Sequence, residues 1–403
     1  MSTLRLQDRP LVVALSGTLS LAIAMGIGRF AFTPLMPMML HDGLLDITAA
    51  SWLASVNYLG YLIGALLCTF QPVLWRRLSL APLRPSAMLK VGLVATCLLT
   101  AAMAVDEPRA WPWLRLLAGV ASSVAFVFTS AWCLGHLARL KVPQAGGLVY
   151  AGPGVGIVVS GLLASAMVQL KWVSPSGWLA FGLLAVLLTL LVWRVFTHDD
   201  VPQAQAAAAT AVRGSGHAEA AALTVAYGLA GFGYIITATF LPVIARAALP
   251  GSVWLDLFWP ILGMGVAVGA VLASRIPAHV DPRLLLVGCY LMQAAGVMMG
   301  EWLPTLAGFA LGSILVGLPF TAITFFVLQV GRRLYPQAAS TIIGLLSASF
   351  ALGQIVGPPV AAALLARAPN HATGFDWSLQ VASLTLVAGA AIYAGMVKAF
   401  RHA

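Results

Sequence analysis

Long apolar runs separated by short polar stretches divide the chain into twelve segments, each near the ~20 residues that a helix needs to cross a bilayer. They cover roughly 11–38, 49–74, 86–105, 110–138, 145–170, 177–197, 220–245, 252–275, 283–300, 303–331, 338–366 and 377–400. The pattern predicts an all-α membrane protein with twelve transmembrane helices. One polar stretch is longer than the rest. Residues 198–219 hold the alanine-rich segment from Gln203 to Ala209 and the turn-prone Arg213-Gly214-Ser215-Gly216, and they read as a linker. The expected organisation is therefore a six-helix unit over 1–197, a linker over 198–219 and a second six-helix unit over 220–403.

A shift of 205 residues lays the second unit on the first. Gly26, Gly28 and Pro37 fall on Gly231, Gly233 and Pro242, and Gly60, Gly64 and Ala65 fall on Gly265, Gly269 and Ala270. Arg139 and Pro143 match Arg332 and Pro336 at a shift of 193. A common register across successive runs predicts two pseudo-symmetric six-helix bundles. Repeats of this kind, with a substrate handled between them near the midplane, are a solution to alternating access.

Composition agrees with a polytopic membrane protein: 61% of residues are apolar and 8% charged, against roughly 45–50% and 25% in soluble domains. The net charge of +10 does not point to nucleic acid, because the basic residues form no face or stripe. Orientation accounts for them. With the N-terminus inside, 16 of the 22 Lys and Arg fall in cytoplasmic segments, and only Arg109, Lys171, Arg246 and Arg367 fall outside. That bias predicts cytoplasmic termini. The first run is too long for a signal peptide and lacks a clear cleavage site. Cys68, Cys97, Cys133 and Cys289 lie inside the runs without metal or redox spacing and read as small buried hydrophobes. Neither a metal nor a cofactor is expected.

Candidate chemistry comes from depth. All twelve acids fall in loops or near the ends of runs, with Asp256 and Glu219 nearest the interior, whereas Arg29 and Arg115 lie inside runs. An arginine in hydrocarbon is costly and marks a functional site by default. At ~1.5 Å per residue, Arg29 lies roughly 6 Å beyond its run's midpoint and Arg115 roughly 15 Å. The two meet only if the fourth helix sits deep or the side chains reach toward each other. Two guanidiniums facing one cavity repel unless an anion screens them, and their forked donors match carboxylate or phosphate. The bland reading of Arg29 is a hydrogen bond to carbonyls freed by Pro34 and Pro37; that of Arg115 is an interhelix strut.

The stretch Gly26-Ile27-Gly28-Arg29-Phe30-Ala31-Phe32-Thr33-Pro34-Leu35-Met36-Pro37, together with Asn57-Tyr58-Leu59-Gly60-Tyr61-Leu62-Ile63-Gly64-Ala65, resembles the YbfB/YjiJ-type bacterial subgroup of the major facilitator superfamily. Arg115-Leu116-Leu117-Ala118-Gly119 resembles that superfamily's fourth-span motif, and Gly152-Pro153-Gly154-Val155-Gly156 its antiporter-associated fifth-span motif. The loop Gln71-Pro72-Val73-Leu74-Trp75-Arg76-Arg77-Leu78 keeps the family's basic residues but lacks its acid, which puts an inward-side charge latch in doubt. The resemblance implies a transporter in the bacterial inner membrane, with the first, fourth, seventh and tenth helices lining a central cavity. In many proton-coupled relatives an acid stands in the first span, where this chain has Arg29.

The repeat sets Tyr234 opposite Arg29. Thr33, Thr237, Thr321 and Thr324 offer hydroxyls, and Phe30, Phe320, Phe325 and Trp259 offer apolar walls. Asn57 and Gln354 are buried amides that need partners. His136, the one histidine inside a run, is a candidate for proton coupling alongside Arg115, and otherwise an interfacial residue. The expectation is a carrier of a small organic anion, a carboxylate first, with the lipid bilayer as its surroundings and a monomeric state. The alternative is efflux of amphipathic drug-like or metabolite molecules. An intramembrane enzyme would need paired acids or a metal motif at membrane depth, and neither is present in the sequence.

Overall fold

The computed structural model describes residues 6–79, 84–197, 217–249, 252, 254–277, 279–335 and 339–400. Among these residues all regular structure is helical, and twelve helices are long and apolar enough to cross a membrane. They are α1 Pro10–His41, α2 Ile47–Gln71, α3 Pro85–Ala102, α4 Trp111–Arg139, α5 Gly146–Gln169 and α6 Ser174–Val192. The second set is α7 His217–Ala248, α8 Leu255–Ala273, α9 Pro282–Trp302, α10 Leu306–Leu334, α11 Ile342–Arg367 and α12 His371–Ala399. Of the expected linker, 198–216 lies outside the described residues, and residues 217–219 are already helical in α7. The twelfth helix also starts earlier than its apolar run, because the Asn370 side chain accepts from Thr373 N and caps it at 2.9 Å.

We call the side where α1 begins and α12 ends the terminal face, and the opposite side the far face. The repeat is visible in which helices meet. Gly60 and Gly64 of α2 leave room for Leu116 and Val120 of α4, and Gly265 and Gly269 of α8 leave room for Gly317 and Leu318 of α10. The two sets of six meet where α2 packs along α11, α5 along α8, and the outer part of α1 on α7. At Gly154 and Gly263 the backbones of α5 and α8 nearly touch: a Cβ added to Gly154 would lie 2.9 Å from Ala267 Cα.

Two acids that the sequence leaves near the membrane interior are paired instead with arginines. Asp256 bonds Arg246. Glu219, 2% exposed, meets Arg283 at 3.1 Å on the terminal face. Arg283 also bonds Asp281 and, at 2.7 Å, the carbonyl of Phe400, which ties the starts of α7 and α9 to the end of α12. Partial burial raises the Asp281 carboxyl, but the Arg283 hydrogen bonds and charge outweigh it and hold the group below its ordinary range.

Candidate functional site

The site begins with a fault in α1. Residues Ala22–Ile27 form a π-helical turn, residues 28–31 form turns, and the α-helix resumes at Phe32. Pro34 has no N–H to give to Phe30, so Thr33 N bonds the Phe30 carbonyl at 3.1 Å in a tighter turn. The Arg29 carbonyl is thereby released from the helix. Arg115 Nη2 reaches it at 3.4 Å, with the guanidinium 4.7 Å from the Phe32 ring centre. A single-turn π-bulge of this kind is often found at functional sites.

Both arginines are almost fully buried, Arg29 at 3% exposure and Arg115 at 2%. Their guanidiniums make different contacts. That of Arg115 is occupied with the α1 main chain. That of Arg29 crosses to the second set of helices, where Nη2 donates to Gln354 Oε1 at 2.6 Å. Gln354 Nε2 in turn donates to the Tyr234 hydroxyl. Arg29 lies over the rings of Tyr61 (4.2 Å), Tyr58 (5.0 Å) and Phe30 (5.3 Å). No carboxylate pairs with it among the described residues, and its Nε has no acceptor. Cation–π contacts contribute about 0.5–2 kcal/mol each, set against the several kcal/mol that burial of an ion costs.

Other candidates divide by position. Phe30 packs edge-on to Trp259 and Phe320, each 6.3 Å away, and Phe320 packs edge-on to Tyr234 at 4.8 Å. These rings enclose a void of about 10 Å³. Thr33 donates to the Ala238 carbonyl at 3.0 Å, a bond between positions related by the 205-residue shift. Thr321 braces α10 on α8 through the Val266 carbonyl, and Thr324 accepts from Tyr227 at 2.9 Å. Four candidates stand apart from Arg29. Thr237 lines a separate void of about 20 Å³ with Gly296, Phe309 and Leu379. Phe325 is 43% exposed with its ring against Phe326. Asn57 donates to the Arg115 carbonyl at 2.9 Å within the first set of helices. His136 stacks on Trp132 and bonds its carbonyl at 2.9 Å, toward the terminal end of α4.

Three important neighbours escaped the sequence reading. Tyr58 and Tyr61 stand three apart on α2, a spacing that puts both on one helix face, and this was the available signal. Tyr58 also shares a 3.0 Å hydrogen bond with Thr239 of α7. Phe32, beneath Arg115, is one more aromatic residue in an apolar run and carries no separate signal.

A twelve-helix bundle whose two repeats meet around a buried, acid-free arginine has the architecture of a major facilitator transporter. Two solved structures share the fold. The nucleoside transporter NupG aligns at a TM-score of 0.72 with 14% identity, over 96% of this chain and 100% of that one. The human organic anion transporter MFSD10 (TETRAN) aligns at 0.63 with 14% identity, over 96% and 99%. At such identity the likeness carries the fold alone. No curated protein matches the sequence. The family described as "Uncharacterised MFS-type transporter YbfB" matches residues 21–394, and the chain belongs to it.

Proposed function

We propose that this transporter carries a small organic anion, a carboxylate before other classes, by alternating access in a bacterial inner membrane with both termini in the cytoplasm. The observation that carries the reading is the Arg29 guanidinium: buried, unpaired by any described acid, and facing Gln354 and Tyr234 of the opposite repeat. A carboxylate arriving there supplies the missing charge and a bidentate match. It also competes with Gln354 for the guanidinium, which links binding to the contact between the two sets of helices. Arg115 holds the α1 carbonyl that sets the position of Arg29, and in this reading it supports the site without touching substrate. With no acid beside Arg29 among the described residues, exchange, facilitated diffusion or symport of a protonated substrate fits better than a carboxylate proton relay.

Export of amphipathic molecules is the second reading, favoured by the rings around Arg29; a cationic drug is disfavoured beside that charge. The test is flux into proteoliposomes loaded with purified protein. Labelled carboxylates are expected to be carried by the parent protein and by Arg29→Lys with a weakened KM, and not by Arg29→Ala. Anion flux with an unchanged KM in Arg29→Ala sinks the proposal.

A further inference from the structure

The rings near Arg29 extend well beyond the three that it overlies. On the first set of helices Tyr61 meets Phe126 at 6.5 Å and Phe126 meets Tyr150 at 6.2 Å, stepping from the level of Arg29 toward the terminal face. On the second set Tyr234 stacks on Phe350 (5.6 Å, 13° between planes) and Phe350 on Tyr227 (4.5 Å, 24°). The first ladder starts on α2 and the second includes Phe350 on α11, and α2 packs along α11. Tyr227 lies within electrostatic range of Tyr61, and Tyr150 within range of Arg332 at the terminal end of α10.

Exposure separates these rings from simple packing. Phe30, Tyr227 and Tyr234 are buried, whereas Tyr61, Phe126, Tyr150 and Phe350 are only half-buried although they sit at the boundary between the two repeats. Each therefore keeps part of its surface uncovered by protein. Where rings do fill space, around Phe30, Trp259 and Phe320, the void left is about 10 Å³, room for about one water. A substrate of any size enters by taking the place of ring–ring contacts. A flat conjugated molecule replaces them in kind, face or edge, while a puckered saturated one loses the quadrupole match and keeps only area burial.

Resting on the anion reading above, we infer that the substrate is an aryl carboxylate, its carboxylate held by Arg29 and its planar ring received between the Tyr61 ladder and the Phe350 ladder. The polar edges of that slot, the hydroxyls of Tyr58, Tyr61 and Tyr234, sit near the charged end. The rest of the ladder is apolar apart from Tyr150 and Tyr227. The site thus sorts ligands by flatness at one end and by charge at the other.

The experiment measures ligand affinity of the purified full-length chain in detergent, by calorimetry and by thermal stabilisation. Two matched pairs are used, benzoate with cyclohexanecarboxylate and 2-naphthoate with its decahydro analogue, and benzamide serves as the neutral aromatic. The inference expects at least one aromatic acid to bind about tenfold more tightly than its saturated partner. Benzamide is expected not to bind. Phe350→Leu and Tyr61→Leu are expected to bring the ratio toward one, while Tyr61→Phe, which keeps the ring, preserves it. Equal affinity within both pairs overturns the ring inference and leaves the anion reading standing. Benzamide binding as tightly as benzoate overturns the anion reading, and absence of binding by every carboxylate overturns both. Size-exclusion profiles identify any leucine variant that fails to fold; the matched pairs decide the matter on the parent protein alone.

Discussion

The guanidinium of Arg29 and the amide of Gln354 are 2.6 Å apart although 325 residues separate them in the chain, and their hydrogen bond joins α1 to α11 across the boundary between the repeats. Gln354 passes the contact on to Tyr234, so one amide serves as acceptor to the arginine and donor to the phenol. Gln354→Glu places a carboxylate where the substrate is proposed to bind. Expected are a rise in melting temperature and a loss of anion affinity of at least tenfold by calorimetry. Gln354→Leu strands two buried polar groups and is expected to cost about 1–3 kcal/mol in stability.

Arg115 separates support from binding. Its loss leaves the buried Arg29 carbonyl without its side-chain donor, so Arg115→Met is expected to destabilise the protein by roughly 1–3 kcal/mol. If the folded fraction still binds carboxylate within about threefold of the parent, a difference of ~0.65 kcal/mol, Arg115 is a strut. A loss equal to that of Arg29→Ala would make it a ligand.

Three hydrogen bonds join the repeats on the far side of Arg29: Thr33 to the Ala238 carbonyl, Tyr58 with Thr239, and Ser55 to the Ile355 carbonyl, all at 2.9–3.0 Å. Combining Tyr58→Phe with Ser55→Ala removes two of them, at about 0.5–1.5 kcal/mol each. The far side is expected to open more often, seen as faster modification of a cysteine placed at Met36, one turn beyond Thr33 and buried in the parent, by a water-soluble thiol reagent. An unchanged rate would mean that these bonds do not hold the far side shut.

On the terminal face Asp281 is held below its usual range by Arg283, so its ionised form stabilises the fold. The contribution is full above the unfolded value of about 3.9 and is lost as pH falls through the lower folded value. Melting temperature is therefore expected to be insensitive to Asp281 charge near neutrality and to fall in acid. Asp281→Asn should flatten part of that acid branch; an identical acid branch in the variant would contradict the assignment.

What could be read from the chain was whatever depended on composition along a line. Twelve apolar runs gave twelve helices to within a few residues, and the cost of burying charge singled out Arg29. The 205-residue register brought forward Tyr234, which the structure joins to Arg29 through Gln354. What escaped depended on which way a side chain turns. Arg115 looks toward a carbonyl freed by a proline in another helix, and nothing in its own neighbourhood encodes that. Glu219 and Asp256 stood nearest the membrane interior without visible partners, because Arg283 and Arg246 come from elsewhere in the fold or from the far end of the preceding helix. Tyr58 and Tyr61 carry no signal as single tyrosines; their role follows from the cation above them.

The π-helical turn at Ala22–Ile27 amounts to one residue of slack in α1. Straightening it into regular α-helix at constant length would swing every side chain beyond it by ~100° about the axis. Arg29 would leave Gln354, and Thr33 would leave Ala238. The bulge therefore acts as a phase setting: it decides which face of the outer half of α1 is presented to the opposite repeat. Loss of one residue together with the bulge keeps that phase, so a one-residue deletion there is expected to be tolerated better than substitutions that straighten the turn at full length.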